Sequence, residues 1–242
     1  MKRVVIIQAR MTSTRLPGKV LIDLAGRPML AQQVARLRRC RAVDELCLAT
    51  TINAGDDPVA ALGAAEGVTV HRGDEHDVLS RYLGAAEQCR ADVVVRITAD
   101  CPLLDPAILD GVVATLLAGP CDYASNTLTR TYPRGLDVEA FHVDVLRRMA
   151  RLATSQPARE HVTWFLHRER PELFVRRELT DGTDNSDLRW TVDTADDLAL
   201  VRRIYEEAGM PARFVAYPEL VGLVRRSKEL SAWNAHVRQA TP

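Results

Sequence analysis

Cysteine is scarce in this chain of 242 residues, and its five cysteines are scattered without any Cys-x-x-Cys pair. An odd, dispersed set of this kind predicts neither a disulfide framework nor a zinc site. No apolar run approaches the roughly 18 residues that a membrane-spanning helix needs. The apolar run Val4 to Ile7 is also much shorter than the core of a signal peptide. We therefore expect a cytoplasmic protein with no membrane partner.

The chain also lacks an excess of charge, because 32 Lys and Arg residues balance 32 Asp and Glu residues. Zero net charge argues against a nucleic-acid-coating protein but leaves room for a local basic pocket that binds a small polyanion. Hydrophobic and charged fractions of 47% and 26% exclude a disordered chain, a collagen-like repeat and a coiled coil. The length fits one large or two small domains. Because no repeat or linker divides the sequence, we expect one domain over residues 1–242.

Short β-branched runs alternate with helix-length amphipathic segments in the first half of the chain. This pattern predicts an α/β fold, a mostly parallel sheet with helices on both faces. Three helices are expected to begin at prolines, namely Pro28, Pro58 and Pro106. The expected strands are residues 4–8, 45–50, 68–71 and 92–97.

The rhythm changes after about residue 119. The segment Leu136 to Phe141 alternates apolar and polar residues, which predicts a half-buried strand with Asp137 and Glu139 on one face. Because this part interrupts the βαβ pattern, we expect an inserted substrate or dimerisation subregion at about residues 125–180. Further helices are expected at 143–152, at 157–170 and through Tyr205, with strands at 174–179 and 188–192.

Three cations, Arg10, Arg15 and Lys19, lie in the loop that follows the first predicted strand. Ligands of open α/β sheets bind at the carboxyl ends of strands, and small hydroxylated residues let backbone N–H groups approach a phosphate. The loop therefore predicts a polyphosphate cradle, although it matches neither a Walker A sequence nor a Gly-x-Gly-x-x-Gly turn. The alternative is a solvated loop with ordinary surface cations.

Aspartates follow two other predicted strands. Asp100 comes just after residues 92–97, and Asp193 comes directly after residues 188–192. An acid in this position faces the ligand cleft and can hold a divalent ion that bridges phosphate oxygens. The alternative is helix or turn capping, which we favour for Asp105 and which is as well supported as metal binding for Asp193.

Several motifs occur in order between residue 3 and about residue 205. They are Gln8 to Lys19, Arg72-Gly73 with Asp77-Val78-Leu79 and Arg81-Tyr82, Asp100-Cys101-Pro102-Leu103, Tyr132 to Glu139, Arg159 to Val162, and Val192 to Leu198. Together they resemble the cytidylyltransferases of acidic sugars, the CMP-acylneuraminate and CMP-KDO synthetases, and above all their spore-coat polysaccharide biosynthesis branch. The chain differs from the KDO enzymes at Thr98-Ala99, where they carry Gln-Gly. It differs from the sialate enzymes at Met11-Thr12, where they carry Gly-Gly.

The resemblance implies a nucleotide-diphosphosugar-transferase-like, Rossmann-like fold that binds CTP and Mg²⁺, usually as a homodimer. Position by position, it implies nucleotide contacts from Gln8, Ala9, Arg10, Ser13, Arg15, Lys19, Arg72, Gly73, Arg81, Thr98 and Asp100. It implies acceptor contacts from Arg134, Asp137, Glu139, Glu160 and His161, and metal binding by Asp100 and Asp193. The residues expected to act in catalysis are Arg10, Lys19, Asp100 and Asp193.

These features predict an enzyme that transfers CMP from CTP to an acidic sugar or another anionic acceptor and releases pyrophosphate. One alternative acceptor is a small phosphonate or phosphate. Two alternative functions are a glycosyltransferase that uses a preformed nucleotide sugar and a non-catalytic nucleotide-binding protein. Three cations in one loop suit a triphosphate better than a diphosphate, and the presence of both aspartates argues against a non-catalytic role.

Overall fold

The computed structural model describes residues 1–238 and contains a seven-stranded sheet and a two-stranded hairpin. The strands are β1 Arg3–Gln8, β2 Asp23–Leu24, β3 Arg27–Pro28, β4 Glu45–Thr51, β5 Thr69–Gly73, β6 Val93–Thr98, β7 Tyr123–Ser125, β8 Glu139–His142 and β9 Arg176–Glu178. The α-helices are α1 Met29–Leu37, α2 Asp57–Ala65, α3 Val78–Gln88, α4 Pro106–Leu117, α5 Val143–Leu152, α6 Gln156–Glu160, α7 Ala195–Glu207, α8 Tyr217–Arg226 and α9 Lys228–Ala232. No helix in the described part of the chain is both long and apolar enough to span a bilayer.

The order of the strands places a ligand crevice beside β1. Strands β5, β4, β1 and β6 lie side by side and are parallel. The chain moves outward from β1 through β4 to β5 and then crosses to β6 on the other side. Open α/β sheets bind ligands where the strand order reverses in this way, outside the carboxyl ends of the strands. Gln8 and Thr98, which end β1 and β6, are partners in register at this point.

Alternating side chains divide the core into two layers, one on each face of the sheet. Val5 and Ile7 of β1 pack into a layer with α1, α4, α7 and α8, whereas Val4 and Ile6 pack into a layer with α3 and α5. The predicted proline starts of α2 and α4 are confirmed. Asp105 caps α4 as expected, since its carboxylate accepts the backbone N–H of Ala107 at 2.8 Å.

Residues 123–178 add three strands to the same sheet. β8 pairs antiparallel with β6, β7 pairs antiparallel with β8, and β9 pairs parallel with β7. Within this sheet β8 alone runs against the other strands, so the predicted mostly parallel α/β fold is confirmed. The single domain over 1–242 and the inserted subregion stay predictions, and residues 239–242 lie outside the described part of the chain.

The long helix predicted over residues 157–170 is wrong. α6 ends at Glu160, and Val162 has a φ of +48°. An α-helix cannot contain that left-handed conformation, which β-branched residues rarely adopt. The chain then makes one π-helical turn over Phe165–Glu169. Val162 and Phe165 are both buried in the layer of α3 and α5, so tertiary packing has overridden local helix propensity here.

Two strand predictions also need correction. Residues 188–192 form no strand, and Arg189 makes an isolated parallel bridge with Arg134. Their backbone bonds instead to two loops: the N–H of Trp190 donates to the carbonyl of Arg134 at 2.6 Å, and that of Val192 to the carbonyl of Asp100 at 2.8 Å. The strand expected over 136–141 begins only at Glu139. Asp137 therefore precedes the strand and does not share a face with Glu139.

Candidate active site

The largest group of predicted residues lines a cleft at the carboxyl ends of β1 and β6. The predicted nucleotide residues in its wall are Gln8, Ala9, Arg10, Ser13, Arg15, Lys19, Thr98 and Asp100, and Asp193 joins them from the segment before α7. Parallel strands end at one edge of the sheet, and this edge brings residues far apart in sequence together. The cleft is therefore the candidate nucleotide site.

Two acids that the sequence analysis did not identify hold the first loop. Asp56, which is buried, accepts the backbone N–H of Met11 at 2.6 Å. Glu75 accepts the hydroxyl of Thr12 at 2.7 Å and lies 3.5 Å from the guanidinium of Arg10. Asp56 belongs to the acid-proline signal that begins α2, and no local pattern connects either acid with a loop more than 40 positions earlier. Only the sheet brings them together.

The side chain of Lys19 joins the two predicted metal ligands. Its ammonium lies 3.1 Å from Oδ2 of Asp100 and 2.8 Å from Oδ1 of Asp193, and it donates to the carbonyl of Val192 at 2.8 Å. Burial disfavours the charged form of Lys19, but the two carboxylates outweigh it and raise its pKa. The two aspartates thus face a single cation position.

Asp193 is bound on both carboxylate oxygens. Oδ1 accepts Lys19, and Oδ2 lies 2.9 Å from Arg15 and accepts Arg189 at 2.7 Å. Burial disfavours the charged carboxylate, yet Lys19 and the two guanidinium groups hold the pKa of Asp193 below its ordinary value. Asp193 does not cap α7, because Thr194 takes that position in a capping box with Asp197.

A second, smaller cavity shares part of the cleft wall. Arg15, Thr98, Asp100 and Asp193 line both spaces. The other residues that line the smaller cavity are Cys101, Arg134, Gly135, Asp137 and Thr191. Two of the predicted acceptor residues, Arg134 and Asp137, therefore line the same cavity as the two aspartates.

The two arginines near this cavity differ in their partners. Arg130 forms a bidentate ion pair with Asp137, at 2.6 and 2.7 Å, which neutralises that carboxylate. The guanidinium of Arg134 is half-buried and has no hydrogen bond or ion pair with any residue between 1 and 238. Burial and the charge of Arg130 lower the pKa of Arg134. A half-buried cation without a partner favours an anionic ligand in this cavity.

The structure does not bring Glu139 to either cavity. Its carboxylate is buried against the guanidinium of Arg96 and accepts the hydroxyls of Tyr123 and Thr163, at 2.6 and 2.7 Å. Nε2 of His167 lies 3.5 Å away. Burial opposes ionisation, but Arg96 and these donors hold the pKa of Glu139 well below its usual range. Its visible role is to tie β8 to β6 and β7.

Three predicted nucleotide residues, Arg72, Gly73 and Arg81, lie outside the cleft wall. Arg72 donates to the carbonyls of Thr51 and Asn53, at 2.8 Å each, and so holds the turn after β4. Arg81 is buried, and a Cβ on Gly73 would lie 3.2 Å from its Cβ. These residues therefore shape the segments that hold the first loop.

Two predicted acceptor residues also lie away from the cavities. Glu160 and His161 end and follow α6, which packs against α3. The ring of His161 lies 6.0 Å from that of Trp164 in a tilted contact. Neither residue lines the cleft or the smaller cavity.

The residues present fit a magnesium ion. Asp100 and Asp193 direct carboxylate oxygens at one point that a cationic group already occupies. Between residues 1 and 238 there is no cluster of three or more His, Cys, Asp or Glu side chains suited to a metal. Mg²⁺ differs from zinc in binding through one or two carboxylates together with substrate phosphates. This donor set matches that preference.

Comparison with known proteins identifies relatives over most of this chain. The spore coat polysaccharide biosynthesis protein SpsF of Bacillus subtilis is 32% identical, over 93% of this chain and 94% of that protein. A cytidylyltransferase structure from Leptospira borgpetersenii is 30% identical, covers 99% of this chain and 100% of that chain, and has a TM-score of 0.90. The fold is shared by CMP:2-keto-3-deoxy-manno-octonic acid synthetase complexed with CTP, with a TM-score of 0.65 at 21% identity over 86% of this chain and 100% of that chain.

The family model for cytidylyltransferases matches residues 4–208, which include β1, the first loop, β6 and both aspartates. The predicted family and enzyme class are therefore confirmed. The chain belongs to the cytidylyltransferase family and is a CTP-dependent nucleotidyltransferase.

Proposed function

We propose that this enzyme transfers the CMP group of CTP to an anionic small-molecule acceptor, with Mg²⁺ as cofactor and pyrophosphate as second product. One observation carries the proposal: Asp100 and Asp193 form the wall shared by the cationic cleft and the smaller cavity. Transfer at the α-phosphorus requires nucleotide and acceptor to meet where charge is neutralised. The shared wall is such a place.

The larger cleft suits a triphosphate. Arg10 and Arg15 are both half-buried on the first loop, and Lys19 adds a third cation next to the aspartates. Charge-assisted hydrogen bonds from such groups to phosphate are among the strongest polar contacts in proteins. Because Arg10 and Arg15 lie on a loop, they can shift from Glu75 and Asp193 to phosphate oxygens.

Asp100 and Asp193 would hold the magnesium ion. When bound there, the ion supplies Lewis-acid polarisation of a phosphate oxygen. Lys19 bridges the two carboxylates in the free protein. With nucleotide present, we expect its ammonium to donate to phosphate oxygens and to neutralise the charge that develops there.

The smaller cavity suits the acceptor. Arg130 neutralises Asp137, so Arg134 is the cation that remains for a carboxylate or another planar anion. An acceptor oxygen held there attacks the α-phosphorus in line; the new P–O bond forms as the bond to the β-phosphate oxygen breaks. Pyrophosphate then leaves beside Arg10 and Arg15. Similarity to SpsF favours an acceptor used in polysaccharide biosynthesis.

A pyrophosphate-release screen tests the proposal. Four nucleoside triphosphates are each combined with acidic sugars, other sugar acids, a small phosphonate and a small phosphate. We expect release that requires CTP, Mg²⁺ and an anionic acceptor. No release with any acceptor, together with consumption of a preformed nucleotide sugar, would replace the proposal with glycosyl transfer.

Variants of the shared wall complete the test. Asp100→Asn and Asp193→Asn are each expected to lower turnover on the order of a hundredfold or more, as when one preorganised electrostatic group is removed. Asp122→Asn is the matched control, because Asp122 pairs with Arg148 outside both cavities. Near-wild-type rates for an aspartate variant at saturating Mg²⁺ would remove that residue from the metal site.

We also propose that the enzyme is a homodimer, as the resemblance implies, and that it acts in the cytoplasm, as expected from its apolar runs. Light scattering should then give a mass near twice 26.9 kDa. A monomeric mass would overturn the dimer without affecting the proposed reaction.

A further inference from the structure

The orientation of Asp193 depends on a residue outside the two cavities. Asp193 lies in a segment that forms no strand, so no sheet ladder fixes its backbone. Its Oδ2 accepts a hydrogen bond from Nη2 of Arg189 at 2.7 Å, while Oδ1 faces Lys19. This arrangement leaves Oδ1 of Asp193 directed at Lys19 and the cation position beside Asp100.

Arg189 is itself held by a buried carboxylate. Nε of Arg189 donates to Oδ1 of Asp197 at 2.9 Å, and Nη2 lies 3.1 Å from Oδ2. Asp197 is fully buried and the side chain of Arg189 is 6% exposed. A planar guanidinium paired in this forked way has little rotational freedom.

Asp197 connects this pair to the backbone just before α7. It accepts the backbone N–H groups of Asp193 and Thr194, at 3.0 Å each. The side-chain amide of Asn234 donates to Asp197 at 2.7 Å and to the carbonyl of Arg189 at 3.0 Å. The buried cluster of Arg189, Asp197 and Asn234 therefore surrounds Asp193 on the side away from the cleft.

The two arginines on Asp193 differ in their freedom to move. The side chain of Arg15 is 34% exposed on the first loop, so it can follow a phosphate, whereas that of Arg189 is 6% exposed and forked onto Asp197. When nucleotide attracts Arg15 and Lys19, Arg189 stays in place.

We propose that Arg189 is a positioning residue for metal binding, which keeps Asp193 directed at the shared wall as Lys19 and Arg15 turn to the nucleotide. The inference rests on the proposed function, because it takes Asp193 as a metal ligand. The ion pair of Arg189 with Asp197, and the contact of Asn234 with Asp197, hold the guanidinium of Arg189 rigidly. Groups that orient a metal ligand in this way typically contribute roughly 10–100-fold to metal affinity.

The test measures Mn²⁺ affinity by electron paramagnetic resonance, with CTP present and no acceptor. Arg189→Gln is expected to weaken Mn²⁺ binding by about tenfold or more, and Arg189→Lys to fall between Arg189→Gln and wild type, because an ammonium keeps the charge but loses the fork. Saturating metal should restore most of kcat for Arg189→Gln. Arg148→Gln is the control, since Arg148 pairs with Asp122 away from the site.

The outcomes separate the inference from the proposed function. Mn²⁺ affinity of Arg189→Gln within twofold of the control, with Asp193→Asn clearly weakened, would overturn the positioning role alone. Unchanged affinity in Asp193→Asn as well would overturn the metal assignment on which it rests. Urea unfolding of each variant identifies loss of folded protein, which lowers the number of binding sites but leaves the affinity of each site unchanged. A tenfold loss at unchanged site number supports the proposal.

Discussion

Gly135→Ala is the substitution for which the structure predicts the clearest local damage. Gly135 has a φ of +101°, which glycine alone adopts readily. A Cβ there would lie 2.4 Å from the backbone N of Thr191 and 2.5 Å from the backbone C of Trp190. Both are backbone atoms, so no side-chain rotation can relieve the overlap. The segment of Arg134 must move away from residues 188–192.

The size of the effect follows from what that movement breaks. The left-handed conformation costs an alanine about 1–2 kcal/mol. Separation also loses the bonds between Arg134 N–H and Leu188 and between Trp190 N–H and Arg134, now 3.0 and 2.6 Å long. Two such bonds contribute about 1–3 kcal/mol together. We expect a loss of about 2–5 kcal/mol in the free energy of unfolding, or a fall in Tm of about 4–20 °C for a chain of this size.

Urea unfolding of Gly135→Ala beside Gly26→Ala is the decisive assay. Gly26 has a φ of +82° and nothing within 4 Å of an added Cβ, so its variant carries the conformational cost alone. Steady-state kinetics should show a higher KM for the acceptor with CTP nearly unaffected, because Arg134 and Asp137 shift while the first loop does not. If Gly135→Ala is no less stable than Gly26→Ala, the close approach does not hold these loops together.

Three further predictions follow from particular contacts. Lys19→Ala should raise the Mn²⁺ affinity of the nucleotide-free protein, because the ammonium no longer occupies the point between the two carboxylates. The same variant should bind CTP about tenfold more weakly. Electron paramagnetic resonance measures the first effect and calorimetry the second, and an unchanged metal affinity would contradict competition between Lys19 and the metal for one position. Glu139→Gln should lower stability by about 3–5 kcal/mol at neutral pH, as when a buried ion pair loses one partner. The pKa of Glu139 in the folded protein is depressed from 4.5, so the stabilisation by its carboxylate is complete above pH 4.5 and is lost as the pH falls through the folded pKa. The stability of Glu139→Gln should therefore fall less steeply below pH 4.5 than that of the wild type. An equally steep fall would show that Glu139 is not the titrating group. Arg134→Lys should raise the KM for the acceptor or lower kcat, with little change in the KM for CTP, because Lys lacks the bidentate fork of Arg. Steady-state kinetics with each substrate varied in turn measures these constants. An equal loss for both substrates would indicate a structural role for Arg134.

Local patterns in the sequence determined much of the fold. The apolar runs of β1, β4 and β6 and the proline starts of α2 and α4 depend on neighbouring residues alone, and the structure reproduces them. The position of Asp105 before Pro106 likewise sufficed to predict a cap. The carboxyl ends of β1 and β6 follow from the βαβ pattern, which is why the first loop and Asp100 could be predicted to lie at one cleft. The prediction for Asp193 depends on a strand over residues 188–192, which the structure does not form.

Tertiary structure decided how the charges in and around the cleft pair. No spacing indicates that Arg130 neutralises Asp137 and leaves Arg134 without a partner between residues 1 and 238, because Arg134 is the nearer of the two arginines to Asp137 in sequence. The alternating pattern from residue 136 predicts that Glu139 shares a face with Asp137, whereas the strand that forms begins at Glu139. The partners of a charged side chain depend on which loops the sheet brings together, and these lie tens of residues away.

Tertiary packing also decided which residues hold Asp193. The motif of residues 192–198 predicts an acid at a segment end and a helix start, since both are local. Asp197 reads there as an acid of the first helical turn, yet it is fully buried and pairs with Arg189 and Asn234. Burial of a charge depends on the packing of distant segments, whereas helix capping depends on a few adjacent backbone groups. The sequence by itself therefore determined most of the elements and the place of the cleft, and the tertiary structure alone decided how its acids are held.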